Sequence, residues 1–208
     1  QFGNKSISKI TIDPENPARM FVTTGRGSGG GSGHVWRSTD TGETWTQAMS
    51  TSVVWWGTAY GALNTVSGSR WLYAAGGGTD GNVWRSGDRG QTWTRLTPPI
   101  STGSHTRLEI AASPLFPDTV YLLVPRDRKI FKSTNAGGAW TDVTAGFING
   151  TTSNPTYNWS QSTYDAFIAV SSRNGTDDVV YVGLIDVAQS IDGGASWRSI
   201  GGPTWVST

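Results

Sequence analysis

Val35-Trp-Arg-Ser-Thr-Asp-Thr-Gly-Glu-Thr-Trp45 returns three more times without a gap. The copies are Val83-Trp-Arg-Ser-Gly-Asp-Arg-Gly-Gln-Thr-Trp93, Ile130-Phe-Lys-Ser-Thr-Asn-Ala-Gly-Gly-Ala-Trp140 and Val187-Ala-Gln-Ser-Ile-Asp-Gly-Gly-Ala-Ser-Trp197. Their serines stand at 38, 86, 133 and 190, so the periods are 48, 47 and 57 residues. Repeats of this length signal solenoids, propellers or arrays. Upstream of each copy lies a β-rich run: Met20 to Thr23, Trp71 to Tyr73, Val120 to Val124 and Val179 to Val182. Before those runs come Ile7 to Ile12, Tyr60 to Val66, Leu108 to Ala112 and Phe167 to Val170. Each unit thus reads as four short strands, A to D, joined by turn residues. The fold class is all-β: one propeller, or propeller segment, over residues 1–208 with four-stranded blades at about 7–49, 57–96, 107–143 and 166–201.

The shared frame Ser-x-Asp-x-Gly-x-x-Trp bridges strands C and D as a tight hairpin. Its members are Ser38, Asp40, Gly42 and Trp45, then Ser86, Asp88, Gly90 and Trp93. Ser133, Asn135, Gly137 and Trp140 follow, then Ser190, Asp192, Gly194 and Trp197. The carboxylate accepts N–H groups inside the turn, the glycine supplies a positive φ, and the Trp ring returns beneath the hairpin with its N–H partnered. Asn135 replaces the acid in the third copy, so the device needs an acceptor more than a charge. That argues for structural rather than catalytic or metal-binding box aspartates.

These residues resemble the Asp-box, or bacterial neuraminidase, repeat of sialidases, xyloglucan-cleaving hydrolases, sortilin-type receptors and a photosystem assembly factor. Asp13-Pro-Glu-Asn-Pro17 between strands A and B resembles the turn of the same proteins. The resemblance implies a propeller, whose members share no single function. It also implies six or more blades. The tail at 201–208 resembles the lead-in to a further blade, and an open arc would leave raw sheet faces. The chain therefore reads as a segment of a larger propeller; self-association of two copies into an eight-bladed ring is the alternative.

Composition narrows the rest. Sixteen Lys plus Arg against 15 Asp plus Glu give a net charge of +1, without the basic stripe of a nucleic-acid partner. No apolar run is long enough for membrane insertion. The absence of cysteine removes disulfides, thiolate metal sites and cysteine nucleophiles. Two distant histidines and no calcium-loop pattern argue against any metal, and no cofactor motif is present; the glycine-rich stretch 25–33 lacks the ending of a phosphate loop. The first residue is Gln1, which reads as a mature or trimmed product. A Trp-, Gly-, Ser- and Thr-rich chain with four lysines suits a secreted or cell-surface protein. Asn4, Asn149, Asn158 and Asn174 open candidate N-glycosylation sequons.

In a four-stranded blade the B–C loops and D–A connections share the face opposite the C–D boxes, where the resembling enzymes bind their ligands. The longest loops fall there, at 25–33, 50–58, 75–82, 97–106 and 144–164. Trp55, Trp56, Tyr157 and Trp159 are the ligand candidates, because flat rings beside hydroxyl and amide groups suit sugars. An inter-blade packing pair is the competing reading of Trp55 and Trp56, and His105 reads as an ordinary loop residue. Glycoside hydrolysis would require two carboxylates flanking the bond. Outside the boxes the acids considered are Glu43, Glu109, Asp127, Asp142, Asp165 and Asp186. No arginine triad or tyrosine nucleophile is placed, and no catalytic residue is carried over. The expected function is a scaffold for a carbohydrate or protein ligand. A glycoside hydrolase with part of its site elsewhere, or a structural repeat module, are the alternatives.

Overall fold

The structure, a computed structural model, describes residues 2–25, 33–49, 51–149, 159, 162–184 and 187–200. Each repeat folds as a four-stranded antiparallel sheet. Blade 1 comprises β1 (Ile7–Ile12), β2 (Met20–Thr24), β3 (Val35–Ser38) and β4 (Thr46–Gln47). Blade 2 comprises β5 (Trp55–Tyr60), β6 (Leu72–Gly76), β8 (Asn82–Ser86) and β9 (Thr94–Leu96). Between and after these, β7 (Gly78–Thr79) and β10 (Ser104–His105) pair as a separate two-stranded ribbon. Blade 3 comprises β11 (Glu109–Ala112), β12 (Val120–Val124), β13 (Lys129–Ser133) and β14 (Thr141–Asp142). Short helices α1 (Thr144–Asn149) and α2 (Ser162–Asp165) precede blade 4, formed by β15 (Phe167–Arg173), β16 (Asp177–Gly183), β17 (Val187–Ser190) and β18 (Arg198–Ser199).

Two sequence expectations shift. The A strand of blade 2 is Trp55–Tyr60, not Tyr60 to Val66. The later stretch turns instead: the Asn64 side chain accepts the N–H groups of Val66 and Ser67 at 3.0 and 3.1 Å, and Val66 stands 96% exposed. The ribbon and both helices were also unforeseen inside segments read as loops.

The cores lie between blades, because strand alternation sends successive residues to opposite neighbours. Leu72 and Ala74 join Phe21 and Val35 in the first seam, whereas Tyr73 and Ala75 join Leu108, Ile110 and Leu122 in the second. Tyr121 and Leu123 join Ile168, Val180, Val182 and Trp197 in the third. The inner strands β1, β5, β11 and β15 stand side by side in that order. Among the described residues the buried apolar clusters are these three, so four blades make an arc with three seams.

Each box closes as its chemistry requires. Ser86 Oγ donates to Asp88 Oδ1 at 2.8 Å and accepts the Gly90 N–H at 2.8 Å, while Asp88 Oδ1 accepts the Thr92 N–H at 2.8 Å. The Asn135 amide oxygen repeats this pattern, accepting Ser133 Oγ at 2.9 Å and the Ala139 N–H at 2.7 Å. The second carboxylate oxygen of each box Asp accepts one more hydroxyl, from Thr44, Thr92 or Ser196, at 2.5 Å. An amide offers a donor there instead, and at the equivalent position the Asn box carries Ala139. The residue pair at each hairpin crest is left-handed: φ is 59° and 91° at Thr41 and Gly42, and 56° and 86° at Ala136 and Gly137. Trp45 Nε1 donates to the Gly42 carbonyl at 2.8 Å and Trp197 Nε1 to that of Val143 at 3.2 Å. Contrary to expectation, Trp93 and Trp140, packed against the first and second seams, bury their N–H groups without a partner among the described residues.

Polar latches cross each seam. Tyr60 donates to Asp13 at 3.1 Å, Trp71 Nε1 to Asp118 at 2.8 Å, and Tyr121 to Asp178 at 3.1 Å. Arg85 and Lys132 reach the next blade's box, donating to the carbonyls of Ala136 at 2.7 Å and Gly193 at 3.1 Å.

Candidate functional site

Opposite the Asp boxes, the ends of strands from blades 1, 2 and 3 and the approach to blade 4 enclose a cleft of about 710 Å³. Blade 1 supplies Ser6, Ser8 and Gly25; the run into β5 supplies Ser52, Val53, Val54 and Trp56. The ribbon adds Gly78, Thr79, Ser104 and His105, Thr106 follows, and α2 adds Thr163 and Tyr164. Glycine lets these elements close up. A Cβ on Gly77 would fall 2.6 Å from the His105 carbonyl oxygen, and one on Gly33 would overlap the Thr24 carbonyl. The lining is rich in hydroxyls and holds no acidic residue among those described.

The two adjacent tryptophans part company here. Trp55 is 0% exposed in the first seam, with its N–H on the Thr51 carbonyl at 3.2 Å. Its candidacy as a ligand contact is therefore corrected: strand alternation turns that ring into the core. Trp56 lines the cleft, half-buried. Its Nε1 donates to the Thr106 carbonyl at 2.6 Å, and the Arg107 guanidinium lies 4.5 Å over its ring. Trp159 is half-buried against the third seam, its ring 5.8 Å from that of Phe147, so it braces α1 rather than facing the cleft. Tyr157 and Asn158 lie outside the described residues, as does Asp186. Asn4 and Asn174 are exposed, Asn174 at a hairpin tip with φ 51°, and Asn149 ends α1.

Tyr164, 81% exposed on α2, is the aromatic that reading the sequence missed. It sat unremarked at the end of a long loop. His105 proves to be buried at 1% exposure. Its Nε2 faces the Ser101 carbonyl at 2.9 Å, and its Nδ1 has no partner among the described residues. Nε2 is thus the donor to that carbonyl.

Beside the cleft, Lys9, Gly57, Glu109 and Phe167 occupy equivalent positions on the four inner strands, each registered through the B strand to the first residue of its repeat, at 35, 83, 130 and 187. Gly57 matters because a Cβ there would stand 3.1 Å from Lys9 Cδ; its bareness lets the lysine stem lie across blade 2. Glu109 is 8% exposed. Burial pushes its carboxyl above the ordinary value, against the pull of Arg107, bonded at 2.7 Å, and of Lys9. The other acids are engaged elsewhere. Asp127 accepts the Ser101 N–H at 2.7 Å, Asp142 pairs with Lys129 at 2.5 Å, and Glu43 lies in the first box. Asp165 ends α2. No group of three or more His, Asp or Glu side chains able to hold a metal occurs among the described residues, and no described helix is long and apolar enough to cross a membrane.

Boxes, blade order and latches together define an Asp-box β-propeller. More narrowly, residues 81–204 match the Sortilin-Vps10 model (sortilin, neurotensin receptor 3), and the chain belongs to that family. No curated protein matches the sequence. Among solved structures, the fold is similar to the GH74 xyloglucanase from Xanthomonas campestris (TM-score 0.63, 14% identity, 94% of this chain and 32% of that one). It is also similar to an ancestral GH74 enzyme (TM-score 0.63, 17% identity, 93% and 25%). A third likeness is to YCF48 from Cyanidioschyzon merolae (TM-score 0.59, 15% identity, 97% and 58%). At these identities the likeness is one of fold. The chain spans from a quarter to rather more than half the length of these proteins.

Proposed function

We propose that this chain forms the ligand-binding part of a secreted or cell-surface propeller and holds a neutral glycan in the cleft opposite its Asp boxes. The observation that carries the reading is the lining: seven serine and threonine residues, flanked by Trp56 and the exposed Tyr164, with no carboxylate. Hydroxyls exchange hydrogen bonds with a sugar, and aromatic rings take its apolar C–H faces. Similarity to xyloglucanases fits such a ligand. Binding is favoured over hydrolysis because Glu109 is tied to Arg107 and no second carboxylate faces it across the cleft among the described residues. A protein segment is the second reading, supported by the fold's likeness to YCF48 bound to D1 peptide (TM-score 0.55, 11% identity, 95% of this chain and 56% of that one). Low charge and the absence of cysteine suit either ligand outside the cell.

The test is a glycan array followed by calorimetry with cello-oligosaccharides, neutral chains with flat apolar faces. Binding that Tyr164→Ala abolishes and Trp159→Phe leaves intact is the expected result. An array without binders, beside a peptide array with them, would replace the glycan by a protein segment.

A further inference from the structure

Arg107 stands where three parts of the cleft meet, although it does not itself line it. Its side chain is 14% exposed. Nε donates to Glu109 Oε1 at 2.7 Å, and Nη1 to the main-chain carbonyls of Tyr164 at 2.6 Å and Thr163 at 3.3 Å. The flat face of the same guanidinium covers Trp56. Trp56 is in turn pinned through its N–H to Thr106, the residue preceding Arg107. Blade 2, blade 3 and the connection into blade 4 therefore converge on one planar cation.

The residue type matters. A guanidinium holds donors in a rigid plane and stacks on aromatic rings, whereas an ammonium is a compact point charge on a flexible stem. With only four residues, α2 is too short to hold its own geometry, and its last carbonyls are the groups a cation stabilises. Glu109, buried on β11, fixes the angle from which the fork reaches out.

We infer that Arg107 is the positioning residue that sets the two aromatic walls of the cleft, Trp56 and Tyr164, against one another, with Glu109 orienting it. The significance for binding rests on the cleft being the ligand site; the positioning itself does not. Substituting the cation should loosen both walls while leaving the seams intact.

The decisive variant is Arg107→Lys, which keeps the charge and loses the fork and the flat face. Chymotrypsin attacks the Tyr164–Asp165 bond, whose carbonyl accepts Nη1, so releasing it should speed cleavage there by about tenfold, the worth of one charge-assisted hydrogen bond. In protein labelled with 5-fluorotryptophan, the Trp56 fluorine resonance, assigned through Trp56→Phe, should move while those of Trp55 and Trp197 stay. Glu109→Gln keeps an acceptor for Nε and should remain within about twofold of the parent cleavage rate. An unchanged rate and an unmoved Trp56 resonance overturn the inference. So does movement of the Trp55 and Trp197 resonances together with that of Trp56, which would make Arg107 a general prop of the fold. If cello-oligosaccharides bind, Arg107→Lys should weaken them without abolishing folding. If none bind the parent protein, the glycan reading fails while cleavage and fluorine results still decide the positioning.

Discussion

Replacing Asp88 by Asn should cost less than replacing it by Ala, and the cost should depend on residue 92. The carboxylate of Asp88 accepts Ser86 Oγ and the N–H groups of Gln91 and Thr92 through one oxygen, and Thr92 Oγ through the other. An asparagine retains the first oxygen, as Asn135 does, but sets an N–H₂ group against the Thr92 hydroxyl, which must then turn from donor to acceptor. Each net hydrogen bond is worth about 1 kcal/mol, somewhat less at a solvent-washed turn. Asp88→Ala, which strands several donors, should therefore destabilise by about 1.5–2 kcal/mol, within the range of a lost helix cap. Asp88→Asn should cost about 1 kcal/mol. Thr92→Ala should cost about the same in the parent and close to nothing when combined with Asp88→Asn, because that pair of substitutions recreates the third box. Urea unfolding of the parent, the two single variants and the double variant should give a coupling of about 0.5–1 kcal/mol. A coupling near zero, or Asn costing as much as Ala, would refute the division of labour between the two oxygens.

Two further outcomes follow from burial and charge. Trp55→Ala should destabilise by about 3–5 kcal/mol, since it empties a fully buried ring from the first seam; a Tm within about a degree of the parent's would contradict that placement. Stability should also respond to pH in two opposed ways. Hydrogen bonds from Thr44 hold Asp40 down to about 2, and those from Thr92 overcome burial to hold Asp88 at about 2, against an ordinary 3.8. Their contribution is present above that ordinary value and is lost as pH falls from 3.8 towards about 2. Glu109 is raised by burial, so its contribution is present below its ordinary 4.5 and is lost as pH rises through its folded value. Thermal unfolding from about pH 2 to about pH 8 should show both limbs, and Glu109→Gln should remove only the upper one.

The boxes were legible because a turn that needs an acceptor, a left-handed residue and a returning indole leaves few choices at fixed offsets. Even the exchange of Thr for Ala beside Asn135 was written in the repeat, though it takes the second carboxylate oxygen to give it meaning. Blade 2 misled for a physical reason: Leu63, Thr65 and Val66 look like strand residues, but the Asn64 side chain bends the chain before they can pair. Trp55 and Trp56 could not be separated by composition, since one step along β5 sends one ring into a seam and the other into the cleft. The cleft itself was least legible. Its wall joins residues near 6, 56, 105 and 164, and no local pattern announces that Arg107 links Trp56 to the main chain at Tyr164. Gly57 is similar, for its importance lies in Lys9, a whole blade away in sequence, whose stem it allows to pass.

Because apolar residues pool between sheets rather than inside them, no blade owns a core. Each interior is co-owned by two neighbours, and removing one blade from the middle takes away both of its seams. Heredity can therefore add or delete these units only where the two new flanks happen to fit. Whole-repeat duplication achieves this at once, since a copied blade brings the same pair of flanks as its parent. The extra length before blade 4 shows the other freedom: an insertion between units can lend side chains to a seam that already exists, as Phe147 and Trp159 do to the third, and remodel the rim with α2 and Tyr164. Diversity in what such a molecule grips can thus accumulate in its connections while the repeated frame is merely copied.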